Sequence, residues 1–276
     1  MIRAILFACP LALAAGLMPA GVAAQEPMPA AAAPAAAPAP APANVREPAA
    51  MAALAKMGQS MRRLTSFSLH ADVTSEEVLE SGQKIQSGGT VDYKIRRPNA
   101  FRIDMVSDEV ARTIYYDGKK VTIFAPRLGY YASFDALPTI GETLTKAEKQ
   151  FALQMPLVDL FDWGNNPEVV GRIKSAMFAG TETVNGVKCE QYAMRQEAVD
   201  WQIWLRAGAD ALPCKIVITT TEDPSMPQYS AVFTWHTKTA FADSTFAFAP
   251  PQKAQHIRFG QAGLDRASAT PTPVGE

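Results

Sequence analysis

The chain has 276 residues, room for one large domain or two small ones. It carries 26 Lys plus Arg against 27 Asp plus Glu, a formal net charge of −1, and no basic block, which excludes electrostatically driven nucleic-acid binding. An apolar fraction of 48% with 9% aromatics belongs to a globular chain with a sizeable core, not to a disordered one.

Met1-Ile2-Arg3 gives a short positive start, and Ala4 to Val22 is almost continuously apolar. Val22-Ala23-Ala24 then offers small residues at −3 and −1 before Gln25, the pattern of an export signal cut after Ala24. Pro10, Gly16, Pro19 and Gly21 interrupt the apolar run and no charged flank follows, which argues against a transmembrane anchor; Cys9 lies too early for a lipoprotein box. No later stretch is long and apolar enough to span a bilayer. The sequence is therefore read as an exported protein whose membrane contact is peripheral or transient at most. Residues 1–24 are assigned to the signal, 25–46 to a linker, 47–260 to the domain and 261–276 to a polar tail. Gln25 to Ala43 holds six Pro and ten Ala, a composition that cannot bury a core and reads as an extended spacer.

Within the domain, Pro48 suits a first helical position. Met51, Leu54, Met57, Met61 and Leu64 follow at spacings of 3, 3, 4 and 3, an amphipathic helix. The period then switches to two: Phe67, Leu69, Ala71 and Val73 alternate with polar residues, as do Val91, Tyr93 and Ile95, then Phe101, Ile103 and Met105. Thr113–Tyr116 and Val121–Phe124 flank Asp117-Gly118, a pair that a type I′ hairpin turn favours. Tyr130–Phe134 predicts another strand. Leu144–Leu153, Pro156–Trp163 and Pro167–Met177 read as helical. Strands resume at Gly180–Val184, Val187–Arg195, Trp201–Leu205, Lys215–Thr221, Tyr229–Thr237 and Thr245–Phe248, with an Asn185-Gly186 turn between the first two. The pattern predicts an α+β domain. About ten or eleven antiparallel strands form a curled sheet, an unclosed β-barrel, with the N-terminal and central helices covering its concave face.

Chemistry-bearing clusters are scarce. The three histidines, His70, His236 and His256, lie far apart, the first two on strand positions that face solvent. Glu76-Glu77 and Asp108-Glu109 are adjacent carboxylates placed in turns, which reads as solvated charge rather than an acid/base pair. No zinc-protease, nucleophile-elbow, phosphate-loop or dinucleotide motif occurs, so no catalytic residue, metal or cofactor is assigned. Cys189 and Cys214 remain after the signal; in an exported chain pairing is the default, with two buried free thiols as the alternative. Trp201 and Trp204 are three apart on one strand, so one points in and one out. Eleven methionines and four tryptophans supply deformable apolar surface suited to a greasy pocket.

Arg97-Pro98-Asn99-Ala100-Phe101 resembles the RPNxF segment of LolA, the periplasmic lipoprotein carrier. Three further segments fall in the carrier's order: Leu64-Thr65-Ser66-Phe67, Tyr116-Asp117-Gly118-Lys119-Lys120, and Thr245-Phe246-Ala247-Phe248-Ala249-Pro250-Pro251. Met155-Pro156-Leu157 sits where the carrier has a Pro-led helix over its barrel mouth. The closer match is to a periplasmic domain-of-unknown-function family within the LolA/LolB-like superfamily, marked by segments such as Val199–Trp204 and Ala211-Leu212-Pro213. The charged Arg102-Ile103-Asp104, the Pro/Ala spacer and the cysteine pair depart from the carrier pattern.

The resemblance implies a half-barrel, lidded by helices, that holds acyl chains. The carrier arginine matching Arg97 hydrogen-bonds lid backbone and keeps the cavity shut, and the phenylalanine matching Phe101 lies where the carrier meets its release machinery. The sequence is thus read as a non-catalytic binding or carrier protein for a lipid or lipoprotein acyl chain. Arg97 is the latch, and Tyr93, Phe101, Tyr115, Leu157, Phe161 and Trp204 are wall residues. The alternative is an envelope interaction or lipid-responsive sensor domain. Its partners are read as a hydrophobic molecule, or another envelope protein, around a monomer.

Overall fold

The first helix begins where Pro48 places it. In the computed structural model of the chain, which describes residues 45–151, 153 and 170–259, α1 runs Pro48–Arg63. Its N-terminal Glu47 provides no side-chain cap to the helix. Instead the Glu47 carboxylate accepts from the Phe178 amide at 2.9 Å, and Glu47 N donates to Ala176 O at 2.8 Å. Ala50, Leu54, Met57 and Met61 are buried, one stripe of the helix, while Arg62 and Arg63 complement the negative end of its dipole.

Six strands follow: β1 Ser66–Val78, β2 Lys84–Arg96, β3 Ala100–Ser107, β4 Ala111–Tyr116, β5 Lys120–Ala125 and β6 Tyr130–Asp135. Then come α2 Ile140–Phe151, β7 Ser175–Val184, β8 Val187–Arg195, β9 Val199–Arg206, β10 Pro213–Thr220, β11 Gln228–His236 and the two-residue β12 Gln255–His256. All join one sheet in the order β12-β6-β5-β4-β3-β2-β1-β11-β10-β9-β8-β7. Its two ends do not pair with each other, so the sheet curls without closing. Every neighbouring pair is antiparallel except β12 on β6. The predicted antiparallel, unclosed architecture is therefore what the chain adopts.

Alternation decides the faces. Phe67, Leu69 and Ala71 of β1, Tyr93 and Ile95 of β2, Phe101 and Ile103 of β3, and Ala231 and Phe233 of β11 join the α1 stripe in one buried core. The opposite face holds a small second cluster, in which Cys189 and Cys214 form a disulfide around Trp204.

Several local readings need correction. Asp117-Gly118 is not a type I′ turn: only Gly118 takes a positive φ, of 90°, and the Asp117 carboxylate instead accepts from the amides of Lys119 and Lys120. Asn185 and Gly186 do adopt the paired positive φ values, 47° and 77°, that this turn demands. Ser175–Met177 is strand rather than helix, because Ala176 pairs with Met194 on one side and Arg46 on the other. Glu76 and Glu77 lie within β1, not a turn, and Glu76 accepts from Lys84 Nζ and the Gln228 amide.

Thr245–Phe248 is not a strand. Asp243–Thr245 forms a 3₁₀ turn, and Phe246 is buried beneath the Arg96 guanidinium. Phe248 inserts among Tyr115, Phe124 and Tyr131, with ring centroids 5.0–5.4 Å away. The chain then pairs with β6 at the sheet's edge and returns to the core side, where Phe259 meets Phe134 and Phe151. The terminal segment is thus a strap around β6. The readings made for residues 1–44, Met155–Trp163 and the tail lie outside the described residues.

Candidate functional site

The corner between β2 and β3 is the best-built site on the core side. Arg97 N donates to Thr65 O at 2.8 Å, and Ile140 N donates to Pro98 O at 3.0 Å, which ties the corner to the start of both β1 and α2. The turn between β4 and β5 closes against it. A Cβ at Gly118 would come within 2.9 Å of Asn99 Nδ2, and with its positive φ this position requires glycine.

Helix α2 is anchored beside that corner by its own capping residues. Thr139 Oγ1 accepts from the Glu142 amide and donates to the Glu142 carboxylate, so the helix starts at Ile140, four residues before the predicted Leu144. Fully buried Thr143 donates to Leu137 O at 3.1 Å and accepts from Leu137 N at 3.0 Å. The Tyr116 hydroxyl donates to the same Leu137 carbonyl at 2.6 Å.

Between these elements lies an apolar pocket of about 30 Å³, lined by Tyr93, Ile95, Arg97, Phe101, Ile103, Ile140 and Leu144. The β2–β3 register sets Tyr93 opposite Ile103 and Ile95 opposite Phe101, which brings all four side chains to one face. Phe101 also meets Tyr116 edge-on, at 5.2 Å between ring centroids. Burial pushes the Tyr93 phenol well above its ordinary value, and the neighbouring Tyr229 adds to this. Burial likewise raises the Tyr116 phenol. The lining comprises hydrocarbon, two rings and one guanidinium whose Nε is buried. Such a set can bury apolar groups and donate hydrogen bonds; it contains no nucleophile paired with a base.

Of the sequence-predicted site residues, Tyr93, Arg97 and Phe101 come together here. Tyr115 does not: strand alternation turns it to the opposite face, where the Arg102 guanidinium lies 5.1 Å from its ring centroid and Phe248 packs beside it. Trp204 also faces away. It is the outward member of the Trp201/Trp204 pair, packed on the disulfide, with its Nε1 donating to Glu182 at 2.8 Å and Lys215 over its ring. Trp201 is the one in the main core. Leu157 and Phe161 lie outside the described residues. Ile140 and Leu144 went unassigned as wall residues, although the Thr139-x-x-Glu142 capping signature would have located the helix that presents them.

An unclosed, curled antiparallel sheet is the class of architecture that the carrier resemblance implies. The chain belongs to the family described as predicted periplasmic protein (DUF2092), whose model matches residues 50–260. It is a periplasmic family of the kind to which the motifs pointed. No curated protein matches the chain. Among solved structures the chain is similar to the lipoprotein LppX of Mycobacterium tuberculosis, at 13% identity over 70% of this chain and 98% of that one, with a TM-score of 0.44. It is similar to LprF of Mycobacterium bovis, at 15% identity over 76% and 100% of the two chains, with a TM-score of 0.38. A structure of the Pseudomonas aeruginosa MucA/MucB complex matches at 13% identity over 73% and 61%, with a TM-score of 0.39.

Proposed function

We propose that this protein is a non-catalytic periplasmic binding or carrier protein for a hydrophobic ligand, a lipid or a lipoprotein acyl chain, taken up on the core side of its half-barrel. The observation that carries this reading is the apolar pocket that Tyr93, Ile95, Phe101, Ile103, Ile140 and Leu144 share with Arg97. Burial of an acyl chain would drive loading at about 0.8 kcal/mol per methylene. A volume of about 30 Å³ is far below the roughly 300–1,000 Å³ of ordinary ligand pockets. Loading therefore requires the wall to move, and α2 is the wall element that does so in this scheme. Among the described residues its hydrogen bonds to the neighbouring chain run through Pro98, Leu137 and Asp135. Arg97, one residue past the end of β2 and beside them, is the latch in this scheme, since a guanidinium donates readily to backbone carbonyls.

The test is native mass spectrometry, with lipid extraction, of the protein purified from its own periplasm. Bound phospholipid or an acylated species is the expected result. A clean ligand-free mass, together with refusal of fluorescent fatty-acid probes, would overturn the reading and favour an envelope protein partner. In the Arg97→Leu variant, bound lipid should exchange faster with vesicles; an unchanged exchange rate would remove Arg97 from the latch.

A further inference from the structure

The core side also holds a polar atom that the fold does not match. Tyr229 of β11 stands opposite Ser75 of β1 and Ile218 of β10, in the row Tyr229, Ala231, Phe233, Trp235 that faces the main core. Its ring packs against that core. Its hydroxyl is buried and makes no hydrogen bond among the described residues. Other polar side chains on the sheet and α2 are matched: Thr143 and Tyr116 to Leu137, Tyr192 to Glu190, and Trp235 Nε1 to the Pro213 carbonyl.

A phenylalanine would pack the same ring without the desolvation cost of the hydroxyl. Burial pushes the Tyr229 phenol up to about 12, so at neutral pH it is a protonated donor. It adds to the upward shift of the Tyr93 phenol, which walls the pocket beside Arg97. The main core against which both rings pack is apolar, and it favours a partner that accepts a hydrogen bond and brings no donor of its own. An ester carbonyl is such a group, whereas an alcohol or a primary amide would add an unmatched O–H or N–H.

Building on the hydrophobic-ligand reading, we propose that Tyr229 donates a hydrogen bond to the ester carbonyl of an acylated lipid held on the core side. The site then distinguishes acyl esters from plain hydrocarbon chains.

The experiment compares the full-length protein with its Tyr229→Phe variant for binding of two fluorescent probes, the methyl ester of pyrenedecanoic acid and a pyrenyl alkane of matched length. The variant should bind the ester about five- to tenfold more weakly, the value of one lost neutral hydrogen bond, and bind the alkane unchanged. Its ligand-free melting temperature should equal or exceed that of the parent, since an unmatched hydroxyl has been removed. Equal ester affinity in the two proteins, or an equal loss for both probes, would overturn the proposal while leaving the hydrophobic-ligand reading in place. Failure of the parent protein to bind either probe would overturn both.

Discussion

His70 illustrates how a single side chain on the solvent face can couple the fold to pH. It lies directly opposite Asp92 across the β1–β2 pair, with Nδ1 2.7 Å from Asp92 Oδ1 and Nε2 3.4 Å from Asp72 Oδ1. The hydrogen bond with Asp92 leads the causes that raise the imidazole above its ordinary 6.5, against a smaller opposing effect of burial. A folded-state value above the unfolded one means that the protonated form stabilises the fold. That stabilisation is complete below the unfolded value near 6.5 and is lost as pH rises through the raised folded value. His70→Gln should therefore flatten the fall in unfolding midpoint that the parent shows on going from about pH 5.5 to about pH 8.5. The difference should shrink in high salt, since the pair is partly exposed. Identical pH profiles for the two proteins would contradict the assignment. At this scale the sequence was informative but incomplete. Strand alternation put His70 outward and Tyr93 inward correctly, because the side-chain period of two is local. It read Trp204 as a wall residue, whereas Trp201 is the inward one, a choice that depends on which face meets α1.

At the scale of elements, α2 depends on one buried threonine. Thr143 supplies the acceptor for the Leu137 amide, while the Leu137 carbonyl keeps the Tyr116 hydroxyl as a second donor. Thr143→Val keeps the shape and removes the acceptor, leaving the Leu137 amide without its protein partner. It should cost about 1 kcal/mol in urea unfolding and speed amide exchange along α2, whereas Thr143→Ser should be milder. A variant as stable as the parent, with unchanged exchange, would show that Leu137 does not hold the helix. The strap marks the limit of periodicity as a guide to elements. Thr245 to Phe248 alternates like a strand, yet Phe246 and Phe248 are spaced to fill two pockets on the sheet's faces rather than to pair in a ladder. Two-residue spacing has both causes, and only the neighbours tell them apart.

The whole molecule is an open sheet whose last strands are stapled. Cys189 on β8 and Cys214 on β10 are 25 residues apart in sequence and bridge across β9 over Trp204. Constraining a loop of that size restricts the unfolded chain and should contribute about 3 kcal/mol. Reduction, or the double change Cys189→Ala with Cys214→Ala, should lower the guanidinium midpoint accordingly. An unmoved midpoint would mean that packing alone holds these strands.

By itself, the sequence determined most of the alternating strands, the first helix and its buried stripe, the Asn185-Gly186 turn, and the Arg97–Phe101 corner between two strands. Each is written in spacings of a few residues or in a short motif. Only the tertiary structure decided that β1 lies between β2 and β11, that the terminal segment wraps β6, and that Tyr115 and Trp204 look away from the core. Those outcomes depend on which distant segments bury each other's surface, and no local period encodes that choice. The pocket belongs to the same class. Its walls come from β2, β3 and α2, separated by up to about fifty residues, and it forms only when the Pro98 and Leu137 carbonyls bring them together.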